Sequence, residues 1–386
     1  MAGASAAVAP PVEKADATAW IAVAAGALGA MLATLDISIV NSALPTIQGE
    51  IGATGTEGTW IATAFLVAEI IIIPLSAWLE RLLGLRTLLI VAVSAFTAFS
   101  VLCGIATDLT TMIIGRTGQG FMGGALIPTA MTIVAKRLPP SQQPIGMALF
   151  GMTVVLGPVM GPLVGGWLTE NLSWHYAFFV NVPVCALLLA LLFIGLPHEK
   201  PDWVYLREAD WAGIVGMILG LGGLTVVLEE GHREEWFEST LIVQLTLMTI
   251  VGFALLTYGQ LYARKPVLKL RLMLSRQFAS VVVMALALGM VMYGSTYVIP
   301  QFLAIISDYN ALQTGFVIFW MGVPAFLLMP VLPFMIRRIH IRIAVGVGMF
   351  IMALSCFVSI NLTAASGGGV FTESQFLRGI GMILTM

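Results

Sequence analysis

Four ionisable side chains lie inside long apolar runs of this sequence: Asp36, Glu69, Arg116 and Arg378. A charged group in the middle of a bilayer costs at least about 2.5–3.5 kcal/mol, so such a residue is a functional hypothesis by default. Desolvation favours the neutral form of an acid, whereas a nearby cation favours its charged form. An acid whose surroundings alternate can therefore bind and release a proton, and this is the chemistry that these residues could support.

Each of the first three residues leaves alternatives open. Asp36 is the candidate proton carrier, and the alternative is a fixed structural pair with Arg116. Arg116 does not lose its proton in proteins, so it can tune a neighbouring acid, hold an anionic group or serve a structural role. Glu69 stands alone in an apolar stretch. It is a second protonation site, a cation-recognising group, or a neutral acid that is hydrogen-bonded to the next helix.

The composition decides which class of protein positions these residues. The chain has 386 residues, of which 59% are hydrophobic and only 10% are charged, whereas soluble domains carry about 25% charged residues. The net charge of −2 leaves no basic surface for nucleic acid. The sequence also lacks the alternating ~10-residue segments of β-barrels. We therefore predict an all-α, polytopic transmembrane helix bundle.

Hydropathy predicts twelve membrane spans, each near the roughly 20 apolar residues that a transmembrane helix needs. They cover about residues 19–45, 58–79, 86–106, 110–135, 144–168, 174–196, 211–228, 240–263, 278–303, 310–336, 341–364 and 371 onwards. The twelfth span is cut off at Met386. We therefore expect the chain to be a fragment of a longer protein.

The Lys and Arg residues set the orientation of these spans. Fifteen of the 18 lie in the N-terminal tail or in the loops that follow even-numbered spans, and Arg233 is the one cation in the opposite loops. Cytoplasmic loops carry the excess of Lys and Arg. The N-terminus is therefore predicted to be cytoplasmic, with residues 1–18 as a disordered tail.

An internal repeat is visible around spans 2 and 10. Three residues recur with one offset of 256 positions: Pro74, Arg81 and Arg86 recur as Pro330, Arg337 and Arg342. This shift of eight helices fits a six-helix unit that is repeated after two inserted helices, and transporters are commonly built from such repeats. The predicted divisions are a six-helix lobe at 19–200, two inserted linker helices at 201–270 and a partial C-terminal lobe at 271–386.

Span 5 carries a stripe of small residues and prolines. Its glycines at positions 157, 161 and 165 share one helix face, which lets a neighbouring helix approach closely. Two prolines remove backbone hydrogen bonds and permit bending. Tight packing and a hinge or gate are both compatible with this stripe, whose members are Gly157, Pro158, Gly161, Pro162, Gly165 and Gly166.

Four residues in or near the spans are candidates for a substrate pocket. Tyr293 and Tyr297 suit a promiscuous apolar pocket, and Asn41 and Gln119 are the polar candidates beside the intramembrane charges. A metal or other cofactor is not expected, because the three cysteines and four histidines have no metal-ligand spacing.

Four motifs occur in the first six spans: Leu35 to Pro45 in span 1, Arg116 to Gly120 in span 4, Gly157 to Gly166 in span 5, and Phe178 to Pro183 in span 6. Together they resemble the motifs of the major facilitator superfamily, specifically its fourteen-spanner drug–proton antiporters of the EmrB/QacA type. The resemblance covers nearly all of the chain from about residue 19. It implies a major-facilitator fold of two six-helix lobes plus two inserted helices, with the C-terminal lobe truncated here. It also assigns the span-4 Arg to proton transfer.

The loop between spans 2 and 3 departs from the family pattern. Relatives usually carry Gly-x-Leu-x-Asp-Arg-x-Gly-Arg there. This chain keeps Gly84 and Arg86 but has Arg81 at the Asp position, next to Glu80. Either Glu80 takes over the role of that Asp, or the charge latch that this loop forms in relatives is lost.

The resemblance implies a secondary active transporter and not an enzyme. Such a protein would exchange protons for hydrophobic or cationic drugs and toxic compounds by alternating access, with Asp36, Arg116 and Glu69 in proton coupling. One alternative is a dedicated proton-coupled exporter of a metabolite, fatty acid or siderophore. Alternatives of another class are a membrane-embedded enzyme and a non-transporting sensor.

The resemblance also implies a setting in the cell. The chain would be a multi-pass protein of the bacterial cytoplasmic (inner) membrane that uses the proton gradient and no cofactor. Members of the EmrB type work with a periplasmic membrane-fusion protein and an outer-membrane channel. These two proteins are therefore candidate partners, beside the small-molecule substrate and the lipid bilayer, and no nucleic acid is expected.

Overall fold

The computed structural model of the chain describes residues 14–263, 266–268, 275–309, 311–328, 331, 335, 338–360, 362–363 and 366–385. The side chains at positions 56, 296, 297, 304, 305, 311, 312 and 325 lie outside this description. Every regular element within it is a helix. The all-α class predicted from the sequence is confirmed.

Fourteen helices in the described residues correspond to the predicted spans. They are α1 (Ala17–Glu50), α2 (Trp60–Leu83), α3 (Leu85–Gly104), α4 (Leu109–Gly123), α5 (Leu126–Arg137), α6 (Gln143–Asn171), α7 (Tyr176–Phe179), α8 (Asn181–Gly195), α9 (Trp211–Glu230), α10 (Thr240–Tyr262), α11 (Arg276–Ile306), α12 (Ala311–Leu328), α13 (Ile341–Val358) and α14 (Gly369–Thr385). Nine stretches of the described chain are long and apolar enough to cross a membrane. The predicted polytopic bundle is therefore confirmed.

The predicted fourth span forms two consecutive helices, because its backbone hydrogen bonding is interrupted. α4 ends at Gly123 and α5 begins at Leu126. Pro128 has no backbone N–H, so it cannot donate to the carbonyl group of Gly124 one turn earlier. The interruption lies beside α2, which packs on both α4 and α5.

α1 is the central helix of the N-terminal part of the bundle. It packs along α6 and also contacts α5 and α8. Small residues permit this closeness: a Cβ at Gly26 of α1 would lie only 3.2 Å from the Cα of Ala130 in α5. Because α1 is covered on several sides, side chains at its centre are removed from solvent, and Ile39 and Val40 are fully buried.

α9 and α10 pack along each other through glycine contacts. A Cβ at Gly252 of α10 would lie 2.6 Å from the Cα of Gly220 in α9, which is closer than side chains allow. The backbones of these two helices therefore touch directly, as small-residue interfaces permit in membranes.

Both ends of α9 are fastened to α2. At one end, Trp211 meets Trp78 edge to face, with ring centres 6.3 Å apart. At the other end, the Glu230 carboxylate accepts a hydrogen bond from Thr63 Oγ1 at 2.7 Å. Arg233, the one cation predicted on the outer side, forms an ion pair with Glu230. Glu230 is only 2% exposed, so this contact is a buried one.

α12, α13 and α14 form the C-terminal part of the bundle. α14 packs against both other helices, and α12 also packs on α6. Met321 of α12 shares one apolar cluster with Met382 of α14 and with Val155 and Val159 of α6. This cluster joins the two parts of the bundle. Arg378 of α14 is also buried, and its Nη1 donates to Gln375 Oε1 at 2.6 Å.

Several predicted features fall wholly or partly outside the described residues. Residues 1–13 of the predicted tail do so, and α1 begins at Ala17, where the Asp16 carboxylate accepts the N–H of Ala19. Two members of the predicted repeat, Pro330 and Arg337, are also outside. The repeat therefore stays a prediction.

Replacing Gly252 by Ala tests the close contact of α9 and α10. The added methyl group would meet backbone atoms that cannot rotate away, so we expect the free energy of unfolding to fall by about 1–3 kcal/mol. Gly289→Ala on α11 is the matched control, because no atom lies within 4 Å of a Cβ there. Thermal unfolding of the detergent-solubilised variants measures both. Equal melting temperatures would rule out the glycine contact as a source of stability.

Candidate functional site

The Asp36–Arg116 pair lies deep inside the bundle. Asp36 has 19 residues of α1 before it and 14 after it, and a 34-residue helix is about 51 Å long. Arg116 on α4 approaches from the side, and its Nη1 lies 2.7 Å from Asp36 Oδ2. The two side chains are 1% and 0% exposed. The structure thus brings together the two residues that the sequence selected on spans 1 and 4.

Two side-chain amides hold the second carboxylate oxygen of Asp36. Asn181 of α8 donates from Nδ2 to Oδ1 at 2.6 Å, and Gln119 of α4 donates from Nε2 to the same oxygen at 3.3 Å. Both amides are buried. Hydrogen bonds to an ionised acceptor are roughly twice as strong as neutral ones. Donors on both oxygens therefore offset part of the desolvation cost of the carboxylate.

Ser100 of α3 links the two amides. Its Oγ accepts a hydrogen bond from Asn181 Nδ2 at 2.9 Å and one from Gln119 Nε2 at 3.1 Å. The same hydroxyl donates to the carbonyl oxygen of Phe178 at 2.9 Å. Cys103, also on α3, donates from Sγ to Gln119 Oε1 at 3.4 Å. Side chains thereby connect Asp36 to α3, α4 and α8.

Arg116 has partners other than Asp36. Its Nε donates to the carbonyl oxygen of Ile61 at 3.3 Å, and its Nη1 also donates to Gln119 Oε1 at 3.1 Å. The guanidinium lies over the ring of Phe65, 4.1 Å from the ring centre, which is within cation–π range. Because Ile61 and Phe65 belong to α2, Arg116 has an anchor that does not depend on the charge of Asp36.

Three members of this network are not among the site residues predicted from the sequence: Ser100, Cys103 and Asn181. Asn181 belongs to the span-6 motif, without a predicted role of its own. Ser100 and Asn181 carry a signal, because each is a polar residue in the interior of an apolar span. Including uncharged polar residues in the search for intramembrane groups would have found both. Cys103 carries no such signal, since free cysteines are commonly buried as small apolar residues.

Glu69 lies on α2, beside the interruption between α4 and α5. It is 7% exposed, and a Cβ at Gly124 would lie 2.9 Å from its Cγ. Asp36 and Arg116 act on it electrostatically. Among the described residues, no hydrogen bond or ion pair of its carboxylate is found. Glu69 is thus near the Asp36–Arg116 pair without being bonded to it.

The glycine stripe of span 5 forms the contact between α6 and α1. Three glycines meet α1 one turn apart: Gly157 meets Thr34, Gly161 meets Ser38, and Gly165 meets Ile39. Gly166 is also buried, whereas Pro158 and Pro162 are half-buried. The other face of α6 carries Val155 and Val159, which pack against the C-terminal part. α6 therefore lies between Asp36's helix and the second part of the bundle.

The four pocket candidates have different environments. Gln119 is fully buried in the Asp36 network. Asn41 is exposed on α1, and Tyr293 is exposed on α11. The side chain of Tyr297 lies outside the described residues. Their part in substrate binding stays a prediction.

Glu80 is the acidic partner in the loop between α2 and α3. It forms an ion pair with Lys136 at the end of α5, with 2.6 Å between Oε1 and Nζ. Arg81, which occupies the usual position of the acid, is exposed. The geometry thus favours Glu80 as the replacement acid. Because Lys136 is 54% exposed, the pair contributes little to stability in itself.

Gly84 and Arg86 bind the start of α3 to the segment after α8. Gly84 has a φ of +79°, a conformation that side chains disfavour. The next residue, Leu85, donates its backbone N–H to Glu199 Oε2 at 2.7 Å. Arg86 donates from Nη1 to the carbonyl oxygen of Leu196 at 3.0 Å. These contacts fix the start of α3 to the end of α8.

The family model described as Major Facilitator Superfamily matches residues 26–386. The chain therefore belongs to this superfamily of transporters, and it is a multi-pass membrane protein. Solved transporters have a similar fold at low sequence identity. The human organic anion transporter MFSD10 matches with a TM-score of 0.59 and 16% identity, over 98% of this chain and 92% of that one. A peptide transporter POT matches with a TM-score of 0.61 and 14% identity, over 94% and 79%.

Curated relatives narrow the similarity to one group of transporters. The colistin resistance protein EmrB of Acinetobacter baumannii is 33% identical over 96% of this chain and 72% of its own length. The multidrug export protein EmrB of Haemophilus influenzae is 33% identical over 86% and 64%. The protein of the same name in Escherichia coli is 31% identical over 91% and 69%. This chain thus spans about two thirds of the length of these relatives.

Arg116→Gln tests whether Asp36 and Arg116 stabilise each other. Removing one partner leaves a buried carboxylate uncompensated, which costs about 3–5 kcal/mol of stability. The double variant Asp36→Asn/Arg116→Gln removes both charges, so we expect it to melt at a higher temperature than Arg116→Gln alone. Melting temperatures of the purified variants decide this. Simple addition of the two single losses would mean that the residues are not coupled.

Gly161→Ala tests the contact between α6 and α1. A Cβ there would come within 3.1 Å of the Cα of Ser38 and closer still to its Cβ. We expect lower stability by about 1–3 kcal/mol and slower transport, because the two helices are forced apart. Adding Ser38→Gly removes the opposing Cβ and should restore both properties. Transport assays and thermal unfolding measure the effect, and no recovery in the double variant would contradict this geometry.

Proposed function

We propose that this chain is a proton-coupled exporter of hydrophobic or cationic drugs that works by alternating access. The observation that carries the proposal is the buried Asp36–Arg116 pair, whose carboxylate is bound on both oxygens. A buried ion pair is a weak stabilising device, because desolvation offsets its Coulomb energy. Its presence in a transporter is therefore better explained by proton coupling. The names of the relatives support drugs as substrates.

In the proposed cycle, a proton from the outer side binds Asp36 and the carboxylate becomes a neutral acid. The ion pair with Arg116 is then lost, while Arg116 keeps its contacts with Ile61 and Phe65 on α2. α1 can therefore shift against α4. When Asp36 faces the cytoplasm it releases the proton and the pair forms again. Exchange results if the drug and the proton favour opposite states of this equilibrium.

α6 is the helix that we propose as the gate. Its glycine face lies on α1 close to Asp36, where Gly157 meets Thr34 and Gly161 meets Ser38. Its other face lies on α12 of the C-terminal part. The prolines of α6 remove two backbone hydrogen bonds, which permits bending between these contacts. A displacement of α1 can thus be transmitted by α6 to the C-terminal part of the bundle.

Glu69 is proposed as the second acid of the cycle. Its side chain is buried, and within the described part of the chain its carboxylate has none of the hydrogen bonds that would fix a structural acid. We propose that its carboxylate also recognises a cationic drug. Proton binding and drug recognition at Glu69 are compatible, because both neutralise one negative charge.

The proposal includes the setting of the protein. We place it in the bacterial cytoplasmic membrane with a cytoplasmic N-terminus, since the Lys and Arg distribution supports that orientation. The proposed division into a first lobe, an inserted pair and a second lobe is supported by the packing of α9 on α2 and of α10 on α9. Cooperation with a periplasmic membrane-fusion protein and an outer-membrane channel is proposed by analogy with the EmrB-type relatives.

Asp36→Asn tests the coupling role directly. In cells that express the full-length gene, efflux of a fluorescent lipophilic cation should fall to the level of cells treated with an uncoupler. The amide keeps the size of the side chain but cannot carry the proton. Glu373→Gln is the control, because this carboxylate is exposed at the start of α14 and should not affect efflux.

Each of the other outcomes has a definite meaning. If Asp36→Asn is present in the membrane at normal level and still pumps, Asp36 is structural and Glu69 becomes the coupling candidate. If wild-type efflux survives an uncoupler, proton coupling is refuted. If the wild type moves no dye, the broad substrate range is refuted.

A further inference from the structure

Asn181 differs from Gln119, the other buried amide of the site, because only the nitrogen of its side-chain amide forms hydrogen bonds with the described residues. Its Nδ2 donates to Asp36 Oδ1 and to Ser100 Oγ. Its Oδ1 is buried and accepts no hydrogen bond from the described residues. Leaving a buried carbonyl oxygen without a donor costs free energy, so each such group in a protein calls for an explanation.

Gln119 shows the contrasting arrangement. Its Nε2 faces Asp36 and Ser100, while its Oε1 accepts from Arg116 Nη1 at 3.1 Å and from Cys103 Sγ at 3.4 Å. Rotating this amide would turn its N–H groups towards the guanidinium, which only donates. Gln119 is therefore locked in one orientation, whereas Asn181 loses no acceptor contact when it rotates.

The two protonation states of Asp36 need different partners. A carboxylate only accepts hydrogen bonds, whereas a carboxylic acid carries an O–H that must find an acceptor. With Asp36 ionised, the amide has to present its N–H, as it does here. Once Oδ1 carries the proton, that N–H faces another donor. A half-turn of the amide then places Asn181 Oδ1 next to the Asp36 O–H. Because this rotation only exchanges the positions of the amide nitrogen and oxygen, the side chain occupies the same space.

We propose that Asn181 is a positioning residue that stabilises both protonation states of Asp36 by rotating its side-chain amide. This inference rests on the proposed function, because it assumes that Asp36 carries the proton. No proton passes to Asn181: the bond from Nδ2 to the carboxylate is replaced by a bond from the Asp36 O–H to Asn181 Oδ1. Ser100 loses one donor in this step and keeps the donor from Gln119.

The charged and titratable groups around Asp36 do not replace Asn181 as the acceptor for the O–H of protonated Asp36. Arg116 on α4 only donates, and Glu69 on α2 and Cys103 on α3 act on the site without a bond to Asp36. On α8, Cys185 lies within electrostatic range of Asp36. Three further helices pack on α1, namely α5, α6 and α7. They carry titratable residues only at their ends: Lys136, Arg137, Glu170 and Tyr176.

Three substitutions of Asn181 separate polarity from shape. Asn181→Leu keeps the branched shape without a donor or acceptor. Asn181→Thr and Asn181→Val have nearly the same shape as each other, but only the Thr hydroxyl can donate or accept. Asn171→Leu is the matched control, because Asn171 is exposed at the end of α6.

Drug-induced proton release from the purified full-length protein is the measurement, with tetraphenylphosphonium as the probe and a series of pH values. In Asn181→Leu and Asn181→Val we expect release to fall about 10- to 100-fold, the size expected for loss of a hydrogen bond to a charged group, with a changed pH profile. Asn181→Thr should retain most of the release. The affinity for the probe should stay within about twofold, since Asn181 is buried and our proposal gives it no contact with the drug.

The inference is overturned if Asn181→Leu releases protons with the wild-type pH profile, or if the Thr and Val variants behave alike. It is also overturned if probe affinity falls as far as proton release, because Asn181 would then contact the drug. Should Asn181→Leu fail to fold, the Thr and Val pair decides the question alone. Failure of the proposed function looks different: the wild-type protein itself would release no proton when the probe binds.

Discussion

A charge pair that is removed from water can persist only when its remaining lone pairs and N–H groups also have partners. The Asp36–Arg116 pair meets this condition with groups from five helices: α1, α2, α3, α4 and α8. Because each partner must lie within hydrogen-bond distance, the positions of these helices are tied to one another at a single level of the bundle. α1 has to be central, since its carboxylate is reached from several sides. The polar side chains inside spans 3 and 6 follow from the same requirement.

The close approach of the helices has a second origin, which is the use of small residues. Lipid is as apolar as the helix surfaces, so apolar area alone does not hold membrane helices together. Glycine instead allows backbones to meet, as at Gly161 against Ser38 and at Gly252 against Gly220. The same device recurs in the C-terminal part, where a Cβ at Gly379 of α14 would meet the Pro324 ring of α12 at 2.6 Å. Contacts of this kind have few interlocking side chains, and helices can therefore slide along them.

Much of this arrangement could be predicted from the sequence, for identifiable physical reasons. The bilayer fixes the length of each apolar run, and the scarcity of charge makes Asp36 and Arg116 visible. Their pairing stays open at the level of the sequence. Hydropathy places a residue along the membrane normal, but it does not tell which side of the helix faces a given neighbour. The interruption at Gly124 was not predicted, although Pro128 was available as its cause. Asn181 and Ser100 were not predicted, because an Asn or Ser in an apolar run hardly changes the hydropathy of that run.

The two attachments of α9 have a mechanical consequence. Trp211 contacts Trp78 at one end of α9, and Glu230 is bonded to Thr63 at the other end. We therefore infer that the inserted pair, α9 and α10, moves together with the first lobe. The next helix, α11, begins at Arg276, and α10 ends at Tyr262. The 13 residues between them can reach at most about 45 Å when extended. If the two proposed lobes rock against each other during transport, the length of this connection sets the largest distance by which the second lobe can move away from the first.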